Sequence, residues 1–242
     1  MYAILKKDIQ TFFSSTIGYL VIAVFLIVNG LFLWVFQGDF NVFNYGFAEL
    51  SSYFRLAPWV LLFLIPAVTM RSIAEERKQG TLELLLTKPI SSMQLILGKY
   101  FGALSLIVIA ILPTLVYVWT IYALGNPTGN LDLGVILTSY IGMLLLASTF
   151  VAIGLFASSV TQNQLVAFII AVLICFLMFY GFDGISSQLI NESSFNLSFF
   201  GLQYHYDSLG RGVLDTRDLI YFISITVLFI ALTHFNIKRY TN

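Results

Sequence analysis

Few side chains in this sequence of 242 residues could take part in bond chemistry. It has two histidines, His205 and His234, and one cysteine, Cys175, which lies inside an apolar run. Zinc sites need several such ligands together, and no G-x-x-x-x-G-K-S/T loop is present to hold nucleotide phosphates. We therefore expect no catalytic residues, no metal site and no cofactor on this chain, so any energy must come from another subunit.

The dense group of ionisable side chains in the first half of the sequence is Glu75-Glu76-Arg77-Lys78, followed by Gly80. It lies between two long apolar runs. Carboxylates and bases this close can pair with each other or with the surface of a partner. A charged segment between two apolar runs is therefore a candidate contact site rather than a catalytic one.

A short helix is predicted directly after this group, over residues 81–88. Thr81 can cap it, and Glu83 suits the positive end of its dipole. Its other members, and the proline that stops it, are Leu82, Leu84, Leu85, Leu86, Lys88 and Pro89. Ser91 and Gln94 then form a capping box for the next helix. The residues alone leave two interpretations open: a connector that rests its leucines on the bilayer or on neighbouring helices, or a docking element for a cytoplasmic partner.

Composition places these elements in a membrane. Only 10% of the residues are charged and 59% are apolar, with a mean hydropathy of +0.90, whereas soluble domains carry roughly 25% charged residues. The net charge of zero argues against a nucleic-acid partner. We expect an all-α membrane protein, because backbone groups in lipid must bond internally and no alternating barrel pattern occurs.

Six apolar runs approach the roughly 20 residues that a helix needs to cross a bilayer. The first holds a polar Asn29, and the third is long enough to bend at Pro113. The predicted spans, in one transmembrane domain covering 1–242, are 17–36, 54–73, 95–124, 134–158, 163–182 and 219–237.

Lysine and arginine placement predicts the orientation. With both termini in the cytoplasm, nine of the twelve basic residues lie inside. The three outside are Arg55, Arg211 and Arg217. This bias predicts a multi-pass membrane protein with both termini in the cytoplasm.

Two further segments are predicted outside the spans. Residues 1–16 place Tyr2, Leu5, Ile9 and Phe12 at helical spacing with Lys6 and Lys7 between them, which favours an interfacial amphipathic helix over a solvated tail. Residues 184–217 are too interrupted to span, so we expect short re-entrant helices on the outer side. These form either a lid over the span ends or an outer gate or partner face, with the candidate residues His205, Asp207, Arg211, Asp215, Arg217 and Asp218.

The run from Glu75 to Ile90 resembles the signature of ABC-2-type permeases, the membrane subunits of ATP-binding-cassette transporters, and the whole chain matches that family's layout. Four shorter runs of residues are similar to runs in the gliding-motility-associated permease subunit of Bacteroidota. The permease of the copper-site-maturation transporter of denitrifiers shares much of this pattern. The four shorter runs that carry this similarity are Phe12-Phe13-Ser14-Ser15, Gly18-Tyr19-Leu20, Gly98-Lys99-Tyr100 and His205 to Asp218.

The resemblance implies that residues 81–88 are a coupling helix, which inserts into a groove of a separate cytoplasmic ATPase that holds ATP and Mg. It implies that Glu75 and Glu76 take part in this joint and that Ser158 to Gln164 forms a second, weaker contact. It also implies a second permease subunit, either another copy of this chain or a related protein.

The residues and the resemblance together leave three functions to consider. The first is an ATP-driven exporter of a lipid, polymer or other amphiphile. The second is an ATP-driven scaffold that assembles a surface or motility machine, together with a periplasmic or gliding-associated membrane protein, without moving solute. The third, an intramembrane enzyme, is disfavoured because no catalytic constellation exists. The near absence of acids and bases from the mid-spans argues against a proton relay or a secondary ion-coupled carrier.

Overall fold

The computed structural model describes residues 1–45, 47, 49–86, 91–188 and 197–239, and only the backbone of residues 45, 84–86, 187 and 188. Within these residues every regular element is helical, as predicted. The helices outside the long spans are α1 (Tyr2–Ser14), α3 (Val42–Tyr45), α5 (Ala74–Lys78), α6 (Thr81–Leu86) and α12 (Leu202–Leu209), with a 3₁₀ turn over Leu197–Phe200.

The spans are built from the remaining helices. They are α2 (Thr16–Gly30) with a π turn over Leu31–Val35, α4 (Ser51–Thr69), α7 (Ser92–Ile111), a 3₁₀ turn (Leu112–Thr114) and α8 (Leu115–Leu124), α9 (Leu133–Val160), α10 (Gln164–Phe176) with a π turn (Leu177–Gly181) and α11 (Phe182–Gln188), and α13 (Thr216–Arg239).

Six helical stretches among the described residues are long and apolar enough to cross a membrane, which confirms the predicted number. They are Thr16–Val35, Ser51–Lys78, Ser92–Leu124, Leu133–Val160, Gln164–Ser186 and Thr216–Arg239. The second stretch continues past the predicted cytoplasmic end of its span and so includes the charged group of α5.

Span four, α9, forms the centre of the bundle. It packs against α4, α7, α10, α12 and α13, and it is the most buried of the six spans. Small residues allow this closeness, since an ideal Cβ at Gly154 would lie 2.0 Å from Thr69 Oγ1 on α4. Spans one, five and six are much less buried, so their apolar faces are available to lipid or to another subunit.

Two prolines lie inside α4 without ending it. Pro58 has no N–H to donate to the carbonyl of Phe54, four residues earlier. The Tyr206 hydroxyl of α12 donates to that carbonyl instead, at 2.7 Å. This bond ties α12 to α4, the helix of span two.

Helix ends follow local signals in part. The capping box of Ser91 and Gln94 is confirmed at the start of α7. Thr81, expected to cap α6, is instead its first residue, and its hydroxyl donates back to the carbonyl of Glu76 at 3.2 Å. Its side chain therefore holds α6 to α5 across the turn at Gly80.

The N-terminal helix packs on span three. Ile4 and Asp8 of α1 lie over Gly98 and Gly102 of α7, where ideal Cβ atoms would lie 2.8 and 3.0 Å from them. The G-x-x-x-G pair of span three therefore receives α1. The position of α1 in the membrane surface stays a prediction.

Candidate functional site

The site is the carboxyl-terminal end of span two, the end predicted to face the cytoplasm, where the chain turns into α6. After α5 the turn passes through Gly80, whose φ of 69° is in the left-handed region that favours glycine. We call residues 70–78, with the side chains that hold them, the joint.

A buried ion pair fastens the joint to span three. Lys99 Nζ lies 2.7 Å from Glu76 Oε1 and 2.7 Å from the carbonyl oxygen of Ser72, and the Lys99 side chain is 4% exposed. Glu76 Oε2 is buried without a hydrogen-bond partner among the described residues. Since a buried lysine needs such compensation, α5 and α7 are held together at this point.

The N-terminal helix brings a third charge to the joint. Burial raises the pKa of Asp8, as does the nearby carboxylate of Glu76, while Lys99 and then Lys7 lower it. Asp8 on α1, Glu76 on α5 and Lys99 on α7 therefore form one electrostatic group.

Span four is fastened to the joint by one serine. Ser158 Oγ accepts from the backbone N–H groups of Ile73 and Ala74, each at 3.0 Å, and donates to the carbonyl of Met70 at 2.9 Å. These two N–H groups lie at the start of α5, where no earlier helical carbonyl is in position to accept from them. Ser158 thus bridges the break between α4 and α5.

Ser159, which follows Ser158 on α9, is contacted both from the joint and from span six. The guanidinium of Arg77 donates to the carbonyl of Ser159. Asn236 Nδ2 of α13 donates to the same carbonyl at 2.8 Å and to Ser159 Oγ at 3.1 Å. The joint therefore contacts spans three and four directly, and it shares the Ser159 carbonyl as an acceptor with span six.

The predicted coupling residues divide into inward and outward groups. Leu82 is 4% exposed and packs with the hydrophobic core, whereas Glu83 is exposed. Glu75 is half-buried, and its Oε1 accepts from Gln79 Nε2 at 3.3 Å. Leu84, Leu85 and Leu86 lie on the described backbone of α6, while Lys88 and Pro89 lie outside the described residues.

The predicted residues of the N-terminal helix are largely on its free side. Tyr2, Lys6 and Lys7 are exposed, and Leu5, Ile9 and Phe12 are half-buried. The helix is instead anchored by Ile4 and Asp8, which are not among the predicted residues. The signal that could have found them is the small pair Gly98 and Gly102, which leaves room for a helix.

The six predicted outer residues do not share one face. His205 Nδ1 lies 2.7 Å from Asp218 Oδ1, its Nε2 lies 3.0 Å from the carbonyl oxygen of Phe199, and its ring stacks on Tyr221. Asp218 therefore joins α12 to α13. Asp215 Oδ1 accepts from the N–H of Arg217 at 2.9 Å.

Asp207 and Arg211 lie at the other side of α12. Burial raises the pKa of Asp207, and Asp183 raises it further, while Arg211 and a hydrogen bond from Gln203 lower it. The second histidine, His234 on α13, has its Nδ1 3.1 Å from Ser92 Oγ at the start of α7. Within the described residues no group of three or more His, Cys, Asp or Glu side chains is arranged to hold a metal ion.

Comparison with known proteins gives one family and two relatives. The model of the ABC-2 family transporter proteins matches residues 2–237. The chain is 38% identical over 103 residues to the "Probable multidrug ABC transporter permease YbhR" of Escherichia coli K12, and equally to that of Escherichia coli O157:H7. Each match covers 42% of this chain and 26% of the relative, so the matched region spans about a quarter of those proteins.

Proposed function

This chain belongs to the ABC-2 family of transporter proteins, and from that premise we propose that it couples ATP hydrolysis by a separate cytoplasmic ATPase to movement of a substrate across the inner membrane. In this proposal α6 is the element that the ATPase grips. ATP and Mg bind the ATPase, and this chain supplies no catalytic group.

One observation carries the proposal: polar contacts hold the joint beside α6 directly to spans three and four and, through span four, to span six. The ion pair Glu76–Lys99 reaches span three and Ser158 reaches span four. Asn236 of span six donates to the same Ser159 carbonyl that Arg77 of the joint contacts. A force on α6 would therefore move several spans together. A passive connector needs no such set of contacts.

The family and the charge distribution support the remaining parts of the proposal. An ABC-2 permease works with an ATPase and a second membrane subunit, which here is a second copy or a related permease. We propose that both termini are in the cytoplasm, because this orientation puts nine of the twelve lysine and arginine residues on the cytoplasmic side. We assign the chain to exporters associated with gliding motility on the motifs around Phe12, Gly98 and His205.

The outer surface favours a second candidate, an ATP-driven scaffold for a surface machine. Apolar side chains are exposed there on the described part of the outer segment, including Phe199, Phe200, Val213 and Leu214. Exposed apolar groups at a polar rim are typical of protein contact sites. ATPase stimulation by added amphiphiles supports export, whereas stimulation only by surface-machine proteins supports the scaffold.

The docking proposal is tested with Leu84→Arg in the purified permease in lipid nanodiscs. A charged side chain in an apolar contact should weaken ATPase binding by at least about tenfold and abolish permease-dependent stimulation of hydrolysis. The matched control is Leu214→Arg, the same change on the exposed outer segment, which should leave ATPase binding unchanged. Unchanged affinity and hydrolysis rate in both Leu84→Arg and Glu76→Lys would refute the docking role.

A further inference from the structure

A cavity of about 470 Å³ opens at the outer ends of spans two and four, beside α12. This volume is within the range of small-molecule sites. It lies at the opposite end of the bundle from the joint. Its walls are apolar, formed largely by Leu50, Phe54, Val135, Ile136 and the ring of Tyr206.

The charge around the cavity is negative. Three carboxylates, of Glu49, Asp132 and Asp207, and one guanidinium, of Arg55, are among the described lining residues. The Arg55 guanidinium lies 5.8 Å from the centre of the Phe40 ring, and its Nη2 lies 3.5 Å from the carbonyl oxygen of Asp39. Outside the lining, Arg211 lies close enough to lower the pKa of Asp207. Three carboxylates against these two guanidinium groups leave a negative balance of charge at the opening.

A polar group at the wall of the cavity adds a second, independent observation. Ser139 on α9 is 3% exposed and lines the cavity. Its hydroxyl makes no hydrogen bond to any of the described residues, unlike the hydroxyl of Thr138 beside it, which bonds to its own helix. Ser139 Oγ is not among the described side-chain atoms that are fully buried without a partner, so it is open to the cavity. A bound molecule that reaches it can accept a hydrogen bond from it, through a polar atom or through the face of an aromatic ring.

We propose that this cavity binds an amphiphilic organic cation. The apolar walls take its hydrocarbon or aromatic body, the carboxylates at the opening take its positive charge, and Ser139 is reached by its inner end. An anionic amphiphile of the same size is rejected by the same carboxylates. The site does not rest on the proposed coupling, because binding here requires neither the ATPase nor transport.

The test uses tetraphenylphosphonium as the cation and tetraphenylborate, an anion of similar size and shape, as its counterpart. Equilibrium binding is measured to the permease in nanodiscs of zwitterionic lipid, without ATP. The double variant Glu49→Gln, Asp207→Asn keeps side-chain volume and should weaken phosphonium binding by about tenfold. Asp39→Asn removes an exposed outer carboxylate that is not part of the lining and should leave binding unchanged.

A second measurement locates the ligand. The single native cysteine, Cys175, is buried in span five, so Ser139→Cys introduces a thiol at the cavity that can be followed by a small thiol reagent. Tetraphenylphosphonium should slow the modification of this thiol, and tetraphenylborate should not. Equal phosphonium affinity in the wild type and the double variant, or equal protection by the two ions, would overturn the proposal.

Discussion

Lys99→Met should lower the free energy of unfolding by about 3–5 kcal/mol, the cost of removing one partner of a buried ion pair. The variant leaves Glu76 buried with neither carboxylate oxygen hydrogen-bonded within the described residues, and it removes the donor to the carbonyl of Ser72. Unfolding by sodium dodecyl sulfate, followed by circular dichroism, measures the loss. The same variant should let the ATPase turn over without moving substrate.

The matched control is Lys78→Met, because Lys78 is an exposed lysine on α5, the helix that carries Glu76. It should change stability by less than about 1 kcal/mol. Adding Glu76→Gln to Lys99→Met removes both charges and should recover most of the lost stability. If Lys99→Met and Lys78→Met unfold alike, the ion pair does not hold the joint.

Ser158→Ala is expected to cost about 2–4 kcal/mol, because it leaves the two N–H groups at the start of α5 buried without acceptors. Ile73 and Ala74 donate to this one hydroxyl, and the carbonyl of Met70 accepts from it. Amide exchange should therefore accelerate in the peptide that covers residues 73–78. That readout is specific to the joint, since a general loss of packing would affect all spans.

Ser105→Ala is the control for this variant, because the Ser105 hydroxyl donates only to Phe101 in its own helix. We expect it to be close to neutral in stability and in exchange of residues 73–78. Unchanged exchange of that peptide in Ser158→Ala would show that span four does not hold the joint.

The part of the fold set by local physics could be predicted from the sequence. Long apolar runs with few charges cross a membrane as helices, which gave the number of spans. The Ser91 capping box needs only residues three apart and was predicted from them alone.

Contacts between distant residues could not be predicted in this way. Glu76 meets Lys99 across 23 positions, and Ser158 meets Ile73 across 85. Nothing in either local sequence indicates which base or hydroxyl will be the partner. Asp218 shows the same limit, since its partner is His205 on another helix.

In the proposed function, α6 faces the cytoplasm and binds the ATPase. Glu83, an exposed residue of α6, can be replaced by cysteine, because the native Cys175 is buried. Val213→Cys, at a side chain 65% exposed on the predicted outer segment, reports the opposite side. A membrane-impermeant maleimide is then applied to spheroplasts and to inverted vesicles.

We expect Glu83→Cys to be labelled only in inverted vesicles, with added ATPase slowing the reaction, and Val213→Cys to be labelled only in spheroplasts. Labelling of Glu83→Cys in intact spheroplasts would show that α6 does not face the cytoplasm and would contradict the proposed docking of the ATPase.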